Sequence, residues 1–129
     1  MKNKLDKTIL IVEDEFFLAE TIRARLEFLG YDVAYAENGL EALQLLEITH
    51  IDLILMDVMM PVMDGYAATE RIKADEKLKK IPVIFLTARA GEEDKKRAFE
   101  TGADDYLAKP FRSEDLIAMI EKWISKNNI

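Results

Sequence analysis

The amino-acid sequence predicts an α/β fold in which helices cover both faces of one parallel sheet. Along the 129 residues, five short apolar runs alternate with five segments of helical character. The runs are apolar at consecutive positions, which is typical of strands buried on both faces of a parallel sheet. Half of the residues are hydrophobic, which is ample for one packed core at this length. We therefore expect a single domain over residues 1–129.

The first half of the chain contains three predicted strands, each followed by a helix. The strands are the runs TILIV, VAYA and LILM at 8–12, 33–36 and 53–56. Apolar residues at helical spacing from Phe17 to Leu29 predict the first helix, and Gly30 is expected to end it. Asn38 stands three residues before Glu41, which is the spacing of an N-terminal helix cap.

The second half repeats the pattern. The Asp64-Gly65 turn predicts the start of a third helix that runs towards Asp75. The remaining predicted elements are a strand at 83–86, a charged helix at 92–100 and a short strand at 106–108. Ser113 is placed to cap a last helix, whose apolar residues recur at helical spacing.

Polar side chains follow four of the five predicted strands. They are Glu13, Asp14 and Glu15 after the first strand, Asp57 after the third, Thr87 after the fourth and Lys109 after the fifth. The second strand ends without a comparable group. Because the carboxyl ends of parallel strands meet at one edge of a sheet, where such folds bind ligands, we expect these side chains to converge.

The chemistry of this set favours a magnesium ion and a phosphoryl group. Carboxylates from two strands would repel each other, so a hard cation should be stabilising there. Oxygen donors without histidine or cysteine favour magnesium over zinc, and magnesium often shares its coordination with phosphate. An aspartate beside the metal could attack phosphorus, while Lys109 neutralises charge and Thr87 donates a hydrogen bond.

Composition limits the other functions of the chain. The formal net charge of −7 argues against a sequence-independent grip on nucleic acid, which needs a basic surface. The absence of cysteine excludes disulfides and thiolate chemistry. No apolar run approaches the length of a membrane span. We expect a cytoplasmic protein that binds neither nucleic acid nor membrane.

Four motifs, in this order and spacing, resemble a response-regulator receiver domain of the chemotaxis type, the phosphoacceptor half of two-component signalling. The motifs are ILIVEDE at 9–15, LILMDVMMPVMDG at 53–65, PVIFLTA at 82–88 and GADDYLAKPF at 102–111. The resemblance extends from about Lys7 to about Lys126. It implies a flavodoxin-like, doubly wound sheet of five parallel strands with five helices.

The resemblance also implies a metal site and a phosphoacceptor. Asp57 would accept the phosphoryl group and contact the metal. Asp14 would bind Mg²⁺ directly, with Glu13 acting beside it through water. Met59 would contribute only its backbone carbonyl, and Mn²⁺ could substitute for Mg²⁺.

The same resemblance implies how the chain would signal. Thr87 and Lys109 would contact the phosphoryl oxygens, and Tyr106 would change rotamer as Thr87 moves. The bond between Lys109 and Pro110 would be cis. A histidine kinase or a histidine phosphotransfer protein would donate the phosphoryl group, and the face of the fourth helix, fifth strand and fifth helix would bind a downstream protein. Such a switch is not a turnover enzyme.

Several alternatives stay open at the level of sequence. A magnesium phosphohydrolase with an aspartate nucleophile would carry a second acid where Met59 stands, and a flavin carrier would have a phosphate-cradling loop in place of residues 13–15. A degenerate receiver would only bind partners. Taken singly, Asp57 could be a turn acid, Lys109 a surface lysine and Tyr106 a core aromatic. The chain could be a complete regulator, which its starting Met1 favours, or part of a longer protein.

Overall fold

The computed structural model describes residues 6–89 and 91–126, and over these ranges strands and helices alternate strictly. The strands are β1 (Thr8–Val12), β2 (Asp32–Ala36), β3 (Leu53–Asp57), β4 (Val83–Thr87) and β5 (Asp105–Ala108). The helices are α1 (Phe16–Phe28), α2 (Gly39–Ile48), α3 (Gly65–Ala74), α4 (Glu92–Glu100) and α5 (Ser113–Lys126). The predicted order of elements is therefore confirmed.

All five strands form one parallel sheet in the order β2-β1-β3-β4-β5. The chain builds outward from β1 to β2, then returns to the other side of β1 and continues through β3, β4 and β5. The strand order thus reverses between β1 and β3, and in doubly wound sheets such a reversal opens a crevice at the carboxyl ends of the strands. The predicted doubly wound fold is confirmed.

The core consists of two layers, one on each face of the sheet. Successive side chains of a strand point to opposite faces, so Leu10 and Val12 pack with α2, α3 and α4, while Ile9 and Ile11 pack with α1 and α5. All four side chains are almost completely buried. This two-sided burial explains why the central strands β1, β3 and β4 are apolar at consecutive positions.

The ends of the helices agree with the predicted stop and cap residues, with one difference. Gly30 follows α1 with a φ of 100°, a backbone conformation that favours glycine. Asn38 caps α2 by accepting a hydrogen bond from the amide of Glu41 at 2.9 Å. Ser113 is instead the first residue of α5, so it lies within the helix that it was expected to precede as a cap.

Among the described helices, none has the length and apolar character needed to cross a membrane.

Candidate functional site

The structure brings the three predicted acids together at the carboxyl edge of the sheet. Glu13 and Asp14 occupy the loop between β1 and α1, and Asp57 is the last residue of the neighbouring strand β3. One carboxylate oxygen from each side chain lies within 4.8 Å of the other two. Glu13 and Asp57 are buried, whereas Asp14 is exposed. The cluster is therefore open to solvent on the side of Asp14.

Lys109 reaches the same cluster from the loop after β5. Its Nζ donates a hydrogen bond to Glu13 Oε1 at 2.7 Å and lies 3.5 Å from Asp57 Oδ1. The backbone amide of Lys109 also donates to the carbonyl oxygen of Thr87 at 2.9 Å, which ties this loop to the end of β4. The peptide bond between Lys109 and Pro110 is cis, as the resemblance implied.

The backbone around Asp57 holds its carboxylate at the rim. The amide of Val58 donates to Asp57 Oδ1 at 2.9 Å. The loop that follows returns to the same place, because the amide of Gly65 donates to the carbonyl oxygen of Val58 at 2.8 Å. A Cβ atom on Gly65 would lie 2.2 Å from the carbonyl oxygen of Asp57. Only glycine allows this close approach of the loop to the strand end.

Burial makes the two buried acids, Glu13 and Asp57, difficult to ionise without a further cation. Burial, together with the charge of Asp57, raises the pKa of Glu13 from 4.5 to about 7, although the hydrogen bond from Lys109 opposes this rise. Burial also raises the pKa of Asp57, against the opposing charge of Lys109. For Lys109, burial would lower the pKa, but the hydrogen bond to Glu13 and the charge of Asp57 outweigh it, so the net shift is upward and the side chain stays charged.

These residues fit a divalent cation such as Mg²⁺. Three carboxylates face one ammonium group, so the ionised cluster carries an excess of negative charge. The donors are all oxygen atoms, and the exposed side leaves room for the waters that magnesium retains. Met59 lies two residues beyond Asp57 with 55% of its surface exposed, and its backbone contribution to the metal stays a prediction.

The two predicted switch residues are connected through one residue of the β4–α4 loop. Thr87, the buried last residue of β4, accepts a hydrogen bond at its Oγ1 from the amide of Arg89 at 3.0 Å. The hydroxyl of Tyr106 in β5 donates to the carbonyl oxygen of the same Arg89. A movement of Thr87 would therefore disturb the backbone that holds Tyr106.

Tyr35 is a site residue that the sequence reasoning missed. The sequence places no comparable group at the end of the second strand, yet the Tyr35 hydroxyl donates to the backbone carbonyl oxygen of Glu13 at 2.7 Å. The available signal was a large side chain with a polar tip, one residue before the end of β2. Its reach across to the neighbouring loop depends on the register of the two strands.

The parallel sheet and the cluster of acids with a lysine at its carboxyl edge agree with the resemblance drawn from the sequence, and comparison with known proteins identifies the family. The family described as response regulator receiver domain matches residues 9–121. The chain belongs to this family.

Relatives and solved structures add detail. The phosphate regulon transcriptional regulatory protein PhoB of Pseudomonas aeruginosa is 43% identical over 115 residues, which are 89% of this chain and 50% of that protein. The signal receiver domain of a signal transduction histidine kinase from Syntrophus aciditrophicus is 40% identical with a TM-score of 0.89, covering 95% of this chain and 92% of that one. The receiver domain of sensor histidine kinase PA1611 from Pseudomonas aeruginosa is 40% identical with a TM-score of 0.86, and the match covers 92% of this chain and 98% of that one. That structure holds a magnesium ion in its active site cleft. The chain spans about half the length of the curated relatives it matches.

Proposed function

We propose that Asp57 accepts a phosphoryl group from a histidine kinase or a histidine phosphotransfer protein. The observation that carries this proposal is the position of the Asp57 carboxylate, which lies with Glu13 and Asp14 in one cluster and 3.5 Å from Lys109 Nζ. The reaction requires Mg²⁺, for which Mn²⁺ can substitute. Glu13, Asp14, Asp57 and the backbone carbonyl of Met59 are the residues that hold the metal.

The reaction forms a bond between an Asp57 oxygen and phosphorus, while the bond from phosphorus to the donor's imidazole nitrogen breaks. The imidazole leaves with the bonding electron pair. Lys109 and Thr87 contact the oxygens of the transferring group, which carry its negative charge. Bound Mg²⁺ supplies the remaining positive charge at this site. The chain catalyses only its own phosphorylation and dephosphorylation, and turns over no other substrate.

Phosphorylation is proposed to act on a pre-existing equilibrium between two states. When Thr87 moves to the phosphoryl oxygens, its Oγ1 loses the hydrogen bond from the amide of Arg89 and donates one to a phosphoryl oxygen instead. The loop then shifts, and Tyr106 loses the carbonyl that its hydroxyl contacts in this structure. Tyr106 changes rotamer and reshapes the surface formed by α4, β5 and α5.

This surface is the proposed contact for a downstream protein. The net charge of −7 favours output through protein contacts over direct binding of nucleic acid by this domain. Because two-component phosphotransfer takes place inside the cell, we assign the chain to the cytoplasm.

The test is intact mass spectrometry after incubation with Mg²⁺ and a small acyl phosphate. The expected result is the mass of one phosphoryl group, which is absent without Mg²⁺ and absent in Asp57→Asn. Asp64→Asn is the matched control, because Asp64 is an acid in the loop after β3 that caps α3 by accepting from the amide of Ala67. This variant should still be phosphorylated.

A phosphoryl group that persists in Asp57→Asn would contradict Asp57 as the acceptor. If the wild-type mass does not change, a stable phosphoryl mimic distinguishes two cases. Binding of the mimic that moves Tyr106 supports a switch with fast turnover, whereas no binding refutes the proposal in favour of a partner-binding domain.

A further inference from the structure

The β1–α1 loop is held by contacts that begin on the strand beside it. The amide of Glu13 donates to the carbonyl oxygen of Ala36 at 3.1 Å, and the carbonyl oxygen of Glu13 accepts from the Tyr35 hydroxyl at 2.7 Å. Both partners belong to the end of β2, which pairs with β1 in register. The backbone of Glu13 is therefore anchored on both its donor and its acceptor.

The carbonyl anchor controls the peptide that connects the two acids of this loop. A peptide group is planar, so fixing the carbonyl oxygen of Glu13 also fixes the direction of the Asp14 amide. The orientation of this plane sets where the Asp14 side chain leaves the backbone. Asp14 is exposed and accordingly lacks the surrounding packing that holds Glu13 and Asp57.

We propose that Tyr35 is a positioning residue for the metal site, whose hydroxyl holds the Glu13–Asp14 peptide so that Asp14 presents its carboxylate to the cation. The inference rests on the proposed function, because it assigns Tyr35 to the magnesium site of that reaction. Tyr35 itself touches neither the metal nor the phosphoryl group.

The hydroxyl and the ring of Tyr35 have separable roles. The ring is partly buried and packs against the α1 and α5 side of the core, which any aromatic residue of this size could do. The hydroxyl lies at the acidic loop. Burial, and after it the charges of nearby carboxylates that include those of Glu13 and Asp14, raises the pKa of Tyr35. The hydroxyl thus keeps its proton and remains a donor.

The variant Tyr35→Phe removes the hydroxyl and keeps the ring. The control is Tyr31→Phe, which removes a hydroxyl just before the other end of β2, away from the acids. For each protein, the thermal midpoint is measured across a magnesium titration, and the rate of phosphorylation by acyl phosphate is measured at the same concentrations. The first readout depends on metal binding and not on the reaction.

In Tyr35→Phe, the magnesium concentration needed to raise the thermal midpoint by a given amount is expected to increase about two- to tenfold, the equivalent of one hydrogen bond. The phosphorylation rate at saturating magnesium should stay within about twofold of wild type, because the reacting groups are intact. In Tyr31→Phe, the magnesium concentration needed for the same rise in the midpoint should equal that of wild type.

A different result would identify a structural role. If Tyr35→Phe lowers the midpoint without metal but titrates with magnesium as wild type does, the inference is overturned. The proposed function and the inference can fail separately. If Tyr35→Phe needs more magnesium than wild type but wild type gains no phosphoryl group, the proposed function fails and the role of Tyr35 in metal binding stands. If wild type is phosphorylated but Tyr35→Phe needs the same magnesium concentration as wild type, only the inference is overturned.

Discussion

Removing magnesium while raising the pH is expected to destabilise the protein through Glu13. In the metal-free protein, the pKa of Glu13 is raised from 4.5 to about 7, first by burial and then by the charge of Asp57. A carboxyl group with a raised folded-state pKa stabilises the fold while it is protonated. Its contribution is fully present below pH 4.5 and is lost as the pH rises through about 7.

The size of the effect follows from the two pKa values. Since one pKa unit is about 1.36 kcal/mol, the whole rise corresponds to about 3 kcal/mol, of which about 2–3 kcal/mol falls between pH 5 and pH 8. Using an unfolding entropy of about 2.1 cal/mol/K per residue, this corresponds to about 9 °C in the thermal midpoint of a chain of this length. A bound dication favours the ionised acid and should remove most of the decrease.

The assay is thermal unfolding at pH 5 and pH 8, with a chelator or with saturating Mg²⁺. Wild type should lose about 9 °C in chelator and less than about 3 °C in Mg²⁺. Glu13→Gln should show a much smaller decrease in chelator, because the titrating group is gone. Glu15→Gln, which removes the exposed acid two residues away, is the control and should behave as wild type.

Two results would refute this reasoning. Equal pH dependence with and without Mg²⁺ would show that the cation does not act on the acidic cluster. A full decrease retained in Glu13→Gln would show that other groups cause it.

Three further predictions concern stability, each measured by urea unfolding. The buried Thr69 Oγ1 has no hydrogen-bond partner among the described residues, so Thr69→Val should stabilise the fold by about 1 kcal/mol, and a loss would imply a partner for the hydroxyl. Gly65→Ala should destabilise the fold by about 2 kcal/mol or more and slow phosphorylation, because its Cβ would lie 2.2 Å from the carbonyl oxygen of Asp57. An unchanged free energy of unfolding would mean that the loop relaxes at no cost. The Lys73 ammonium donates to two backbone carbonyls and to Asp104 at 2.7 Å. Lys73→Met should therefore lower the free energy of unfolding by about 2–4 kcal/mol. A change below about 0.5 kcal/mol would mean that the Lys73–Asp104 pair is no stronger than an exposed surface ion pair.

Much of the fold could be predicted from the pattern of apolar, glycine and capping residues within each segment of the sequence. The strands of the structure agree with the apolar runs to within about a residue at each end. The three central strands, β1, β3 and β4, are buried on both faces, which favours apolar residues at consecutive positions. Gly30 and Asn38 marked helix ends through conformational and hydrogen-bonding properties that belong to the residue itself. Ser113 shows the limit of such signals, since a serine at a helix start fits the cap and the first turn alike.

The candidate site was predicted in part. The residue types and their positions after strands indicated a cluster of acids with a lysine, and the structure brings Glu13, Asp57 and Lys109 into contact distance. Their roles in phosphorylation stay predictions. The contribution of Tyr35 was not predicted, because nothing near it in the chain indicates that its hydroxyl meets Glu13, which lies 22 residues earlier.

The sequence by itself determined the order of strands and helices, the apolar runs that form the strands and the resemblance to the receiver family, because each follows from the types and spacing of residues along the chain. Only the tertiary structure decided how strongly the acids resist ionisation and what holds them. Lys109 and Glu13 are 96 residues apart in sequence but 2.7 Å apart in space. Charge interactions and the cost of burial depend on distance and on exclusion of water, and both are set by the packing of all five strands together.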